Sequence, residues 1–143
     1  MPYEFLEDVA TADIAFRAWG MDLKETFIAA ADATMNVMIE ELNSIQPRER
    51  REFKLENEAL DMLLFNFLQE LIYYKDSEKL MLRIDQVKIK EEDNHHLLEA
   101  IALGEKLDPN RHRTRVDVKA VTLHRFYLEK VNQGWEALVI LDI

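Results

Sequence analysis

VDVKAVTLHRFYLEKVNQGWEALVILDI, residues Val116 to Ile143, is the stretch whose reading decides the fold class. Val116 to Val131 and Trp135 to Ile143 are rich in β-branched and aromatic residues, which fit a pleated, half-buried surface. Asn132-Gln133-Gly134 lies between them and supplies turn chemistry. Two such runs separated by a short polar, glycine-containing link predict a β-hairpin.

Upstream of this hairpin the pattern stays that of strands back to Leu80. Leu82 and Ile84 are in one phase, and Val87 and Ile89 are in the other. A one-residue phase change inside a strand predicts a β-bulge near Asp85 and Gln86. Leu97 to Leu103 fits a strand or a helix by periodicity, and the Gly104 and Asp108-Pro109-Asn110 turn signals favour a strand. Further upstream the period changes to that of helices. Leu60, Leu63, Leu64, Phe67, Leu68, Leu71 and Ile72 form one apolar face, with Asn57 as a candidate cap. Its hydrophobicity predicts that this helix packs centrally. Leu23, Phe27, Ala30, Thr34, Met38 and Leu42 form an earlier stripe, widened by Ile28, Ala31, Met35 and Ile39. It predicts a helix of about 20 residues. Asp22 with Glu25 resembles a capping box at its start. Phe53 and Leu55 alternate with charged neighbours as a strand does. Ile14, Phe16 and Ala18 do the same, and Tyr3 to Leu6 is a short strand candidate.

The expected architecture is α+β, with two long helices packed against a mainly antiparallel β-sheet. The order along the chain is β-β-α-β-α-β-β-β-β. No repeat, low-complexity tract or Pro/Gly/Ser-rich linker divides residues 1–143, so one domain is expected.

Composition narrows the chemistry. The chain has 143 residues and no cysteine. A cysteine nucleophile, a thiolate zinc site and an iron–sulfur cluster are thereby excluded. The N-terminal residues MPYEFLEDVATAD lack the basic and apolar regions of a signal peptide, and no apolar run approaches membrane-spanning length. No membrane association and a cytoplasmic location are expected. A net charge of −10 opposes phosphate backbones and attracts cations or a basic protein surface.

Motifs for catalysis are absent. His95, His96, His112 and His124 fall in no hydrolytic or zinc motif and read as loop or strand-surface residues. Three scattered glycines cannot cradle a phosphate. Arg111, His112, Arg113 and Arg115 form the densest basic cluster, readable as an RNA or acidic-partner contact or as a solvated loop. Two acids break apolar patterns. Asp13 stands between Ala12 and Ile14, and Asp142 ends the run Ala137 to Leu141. Burying either without a partner is costly. Asp142 beside the carboxylate of Ile143 is an oxygen-only donor set, which suits calcium or another hard divalent cation; emergence into water is the other reading.

These segments, taken in order, resemble the archease family. The matching pieces are YEFLEDVATADIAFRAWG (Tyr3 to Gly20), LKETFIAAADATMNVM (Leu23 to Met38), LLFNFLQELIYYKDSE (Leu63 to Glu78), GEKLDPNRH (Gly104 to His112), VDVKAVTLH (Val116 to His124) and LVILDI (Leu138 to Ile143). Many family members read Asp-His-Thr-Ala-Asp near the start. This chain has Asp8-Val9-Ala10-Thr11-Ala12-Asp13, which lacks the histidine and keeps Asp13.

The resemblance implies a non-enzymatic accessory protein. Its partner would be the RtcB-type tRNA-splicing ligase, a manganese- and GTP-dependent enzyme that forms a guanylylated histidine. The accessory protein would promote guanylylation and multiple turnover and touch tRNA only indirectly. The resemblance also implies a metal, usually calcium, held by Asp13, Asp142 and Ile143. Lys119, in the matching VKAVT stretch, is a possible partner contact or a counter-charge to the acids. A chaperone-like modulator of RNA-processing enzymes, a metal-dependent hydrolase, and direct RNA binding through Arg111, Arg113 and Arg115 are the alternatives.

Overall fold

The computed structural model describes residues 2–7 and 13–143. The chain runs β1 (Tyr3–Leu6), β2 (Ile14–Gly20), α1 (Leu23–Met38), a one-turn 3-10 helix (Leu42–Ser44), β3 (Glu49–Asn57), α2 (Leu60–Glu78), β4 (Leu80–Glu92), β5 (His95–Lys106), β6 (Ala120–Val131) and β7 (Gly134–Asp142). This broadly follows the expected alternation. The strands do not form one sheet. They divide into a four-stranded sheet, β1-β2-β7-β6, and a three-stranded sheet, β3-β5-β4. Every pairing is antiparallel.

The helix that buries more of its residues is α1, not the leucine-rich α2. α1 packs on β1, β2 and β7 of one sheet and on β4 of the other, so it lies between them. Eleven of its sixteen residues are buried, among them Phe27, Ala29, Ala30, Ala31, Ala33 and Met35. Alanines let both sheets approach the helix backbone, which bulky side chains would prevent. α2 is nineteen residues long but buries only seven, chiefly Leu63, Leu64, Phe67, Leu68, Leu71 and Ile72. α2 also reaches both sheets, packing on β3, β4 and β5 of one and on β6 of the other, but along a single leucine-rich stripe, whereas small residues all round let α1 be buried on more of its surface.

The start of α1 is as read. The Asp22 carboxylate accepts from Glu25 N–H at 2.8 Å, and Glu25 reaches back to accept from Met21 N–H at 2.7 Å. Its end comes earlier than Leu42. Ile39 turns extended, and the crossing segment Arg113–Val116 takes over the last carbonyls. Arg115 N–H donates to Met38 at 2.8 Å and Val116 N–H to Val37 at 3.2 Å. These bonds replace the next helical turn. Asn57 is not the cap of α2. Ala59 occupies that position, and the Asn57 side chain accepts from Ala59 N–H at 2.9 Å.

The β4 bulge is where the phase change predicts it, with the register shifting between Ile84 and Gln86. The C-terminal hairpin also forms, as β6 and β7 joined by Asn132-Gln133. Gly134 follows at φ +146°, and a Cβ there would sit 2.0 Å from the Gly20 carbonyl oxygen. Only glycine lets this turn close against the β2–α1 connection.

Candidate functional site

The C-terminal end of β7 gathers the residues singled out in the sequence. β2 pairs with β7 so that Ile14 faces Leu141. Asp13 immediately precedes Ile14 and Asp142 immediately follows Leu141, so both acids stand at the same end of this strand pair. On the other flank, Ala120 pairs with Asp142, and Lys119 N–H donates to the Asp142 carbonyl at 2.8 Å. Asp142 therefore stands between Asp13 and Lys119, with Ile143 next in the chain.

Strand alternation assigns their faces. Leu141 is fully buried, and Ile14 and Ile143 pack against the same core. Asp142 occupies the alternate position of β7, and Asp13 and Asp142 are both half-buried. Among the described residues neither carboxylate has a side-chain ion pair. Like charges held near each other repel. A cation between them would reverse the sign of that term.

The donor set fits a hard cation. Two carboxylates and adjacent main-chain oxygens are available, with neither sulfur nor imidazole in the register positions. Calcium takes six to eight such oxygens. Among the described residues no group of three or more His, Asp or Glu side chains is arranged to hold a metal, so main-chain oxygens would have to complete the shell. Thr11 and Ala12, which precede Asp13 in the motif, lie outside the described residues.

Sequence reasoning missed a second charged cluster. His112 was expected at the surface, yet it is 2% exposed. Its Nδ1 accepts from Asp108 N–H at 2.9 Å, which leaves the ring proton on Nε2 to donate to Glu105 Oε2 at 3.0 Å. Glu105 also accepts from Gln46 N–H at 2.6 Å and pairs with Arg48 at 3.3 Å and with Arg111. Burial pushes the Glu105 carboxyl upward, but the Arg111, Gln46 and His112 hydrogen bonds outweigh it and hold the group at about 2. The signal in the sequence was Gly104-Glu105 followed closely by Arg111-His112. It could not be read without knowing that the intervening turn folds back.

This cluster accounts for most of the basic run. Arg111 also donates to the Ser44 carbonyl at 2.9 Å, and Arg115 donates to the Asn36 carbonyl at 3.4 Å. Both guanidinium groups anchor the connection between the two sheets. A groove of about 750 Å³ lies at the opposite end of the four-stranded sheet, lined by Trp19, Trp135, Arg17 and Met21 among others. It is remote from Asp13 and Asp142. Among the described residues no helix is long and apolar enough to cross a membrane.

Residues 3–143 match the model of the Archease protein family (MTH1598/TM1083). The chain belongs to the archease family. It is 42% identical over 134 residues to the archease of Pyrococcus abyssi, covering 93% of this chain and 94% of that one. The solution structure of Methanobacterium thermoautotrophicum protein 1598 superposes with a TM-score of 0.86 at 34% identity, covering 99% of both chains. The crystal structure of the Thermotoga maritima archease superposes with a TM-score of 0.60 at 21% identity, covering 94% of this chain and 93% of that one. The last comparison speaks for the shared archease fold alone.

Proposed function

We propose that this archease is an accessory protein that activates an RtcB-type tRNA-splicing ligase, promoting its guanylylation and repeated turnover, and that it acts through a cation bound at the Asp13–Asp142 corner. The observation that carries the reading is the register of β2 on β7. It pairs Ile14 with Leu141, so the acids next to them, Asp13 and Asp142, lie at one end of the sheet, and neither has a side-chain ion pair among the described residues. Family membership supports the accessory role, and the Thermotoga maritima protein is itself described as a possible chaperone.

In this reading Asp13, Asp142 and the main-chain oxygen of Ile143 hold calcium or a similar divalent ion. The ion supplies positive charge beside the ligase's own nucleotide and metal centre. Lys119, adjacent to Asp142, contacts the ligase or balances the acids. The surrounding −10 surface favours a basic face on the partner and disfavours direct tRNA contact. The chain itself performs no catalysis, and it works in the cytoplasm, where the ligase acts.

The test uses Asp13→Ala and Asp142→Ala, each shown to fold by circular dichroism. Both variants are expected to lose stimulation of ligase guanylylation. Full stimulation by both would remove the corner from the mechanism. Failure of the parent chain to bind or stimulate the ligase would remove the partner assignment itself.

A further inference from the structure

We infer that Gln69 and Lys75 of α2 are positioning residues for the Lys119–Asp142 corner, holding the main chain of the edge strand β6 so that the carboxylate site keeps its geometry. This rests on the reading of that corner as a cation site.

Among the described residues β6 lies at the end of its sheet and has β7 as its one strand partner. α2 supplies side-chain partners to its start. Gln69 Oε1 accepts from Val121 N–H at 2.9 Å, and Lys75 Nζ donates to the Val118 carbonyl at 2.7 Å. These two bonds bracket Lys119 and Ala120, the residues that meet Asp142. Val118 itself is fully buried, so the bracket is seated in the core.

Lys75 cannot be serving a ligand directly. Its three N–H donors are committed to Asp76 at 2.5 Å, Asp117 at 2.7 Å and Val118. Nor is stability the main reason for it. Its side chain is 9% exposed, but those of Asp76 and Asp117 are 56% and 66% exposed. Both carboxylates can return to water when the lysine is removed. A buried cation whose partners remain hydrated is weak evidence for stability, and its use here is geometric. Desolvation lowers the Lys75 pKa, yet hydrogen bonds to Asp117 and Asp76 outweigh it and raise the value, so the lysine stays charged and its three bonds persist.

The experiment compares the full-length chain with Lys75→Met and Gln69→Leu. Calcium binding is followed by calorimetry, and amide exchange at Lys119 and Val121 by NMR. Partners that orient metal ligands are typically worth roughly 10–100-fold in affinity. Each variant is expected to bind calcium weaker by about that factor and to exchange the two amides faster, while remaining folded. The sign is diagnostic for Lys75→Met. Removing a positive charge near a cation site strengthens binding by Coulomb's law alone, so a loss of affinity isolates the positioning effect. Calcium binding at or above the parent's affinity in both variants overturns the inference. A parent chain that binds no calcium removes the metal reading instead. The strut is then judged on exchange, and unchanged protection at Lys119 and Val121 overturns it.

Discussion

Two charged regions of this archease are built on opposite plans. Around Glu105 and His112, burial is nearly complete and the charges are answered from within the chain, by Arg48, Arg111, His112 and the Gln46 amide. At the Asp13–Asp142 corner, two half-buried carboxylates lie at one end of the sheet, and neither has an ion pair among the described residues. An internally satisfied cluster holds two elements together, because losing one member strands another in a low-dielectric interior. An unsatisfied pair contributes little to folding and keeps its field for something outside. The first region ties the turn after β5 to the segment before β3, and the second is the corner at which we propose that a cation binds.

Substitutions at the two regions should separate this contrast most sharply. His112→Ala leaves Glu105 buried with fewer donors, and Glu105→Ala leaves Arg111 and His112 without their acceptor. Leaving a buried polar group without its hydrogen-bond partner costs about 1–3 kcal/mol, and somewhat more where the group is charged. Both variants should show that loss in urea unfolding. Asp13→Ala or Asp142→Ala should change stability by less than about 1 kcal/mol, the scale of exposed charge effects. Equal losses at the two regions would break the comparison.

Calcium should act on one region alone. A ligand that binds only the folded state stabilises it by about 2.7 kcal/mol at 100 times its dissociation constant. The parent's melting temperature should rise on adding calcium, and Asp142→Asn should abolish the rise. Glu105→Gln should start from a lower melting temperature and still show it.

Acid provides a smaller and more specific contrast. Glu105 is held at about 2 in the folded chain, against 4.5 when unperturbed. A depressed carboxyl contributes stability that is fully present above its unfolded value. That contribution is lost as the pH falls from about 4.5 through about 2. Thermal melts across this window should show a steeper loss for the parent than for Glu105→Gln. The smallest effect belongs to exposed pairs such as Lys90–Glu92, 3.4 Å apart with both side chains more than half exposed. Lys90→Ala should shift stability by no more than about 0.5 kcal/mol.

Much of the secondary structure was legible because it depends on local periodicity. The capping pair Asp22 and Glu25, the phase change at Asp85 and the turn before Trp135 are signals confined to a few residues. The length of α1 was not legible. Its last carbonyls are taken by Arg115 and Val116, far along the chain, and no local signal marks that competition. The extra residues Leu123–Phe126, which shift the β6 register between Thr122 and Tyr127, were also invisible, since both phases of that run read as strand. At the candidate site, the sequence marked Asp13 and Asp142 as acids out of pattern. It could not show the bonds from Gln69 and Lys75 behind them.

By itself the sequence determined the family, the type of most elements and the identity of the acids, because those rest on residue chemistry and on spacing within a turn or a strand. Tertiary structure alone decided that the strands form two sheets, that the alanine-rich helix lies between them, that His112 is internal and that Ile14, next to Asp13, pairs with Leu141, next to Asp142. Each of those follows from pairings between distant segments. Their register is chosen by the fit of the whole core rather than by any stretch of chain that takes part.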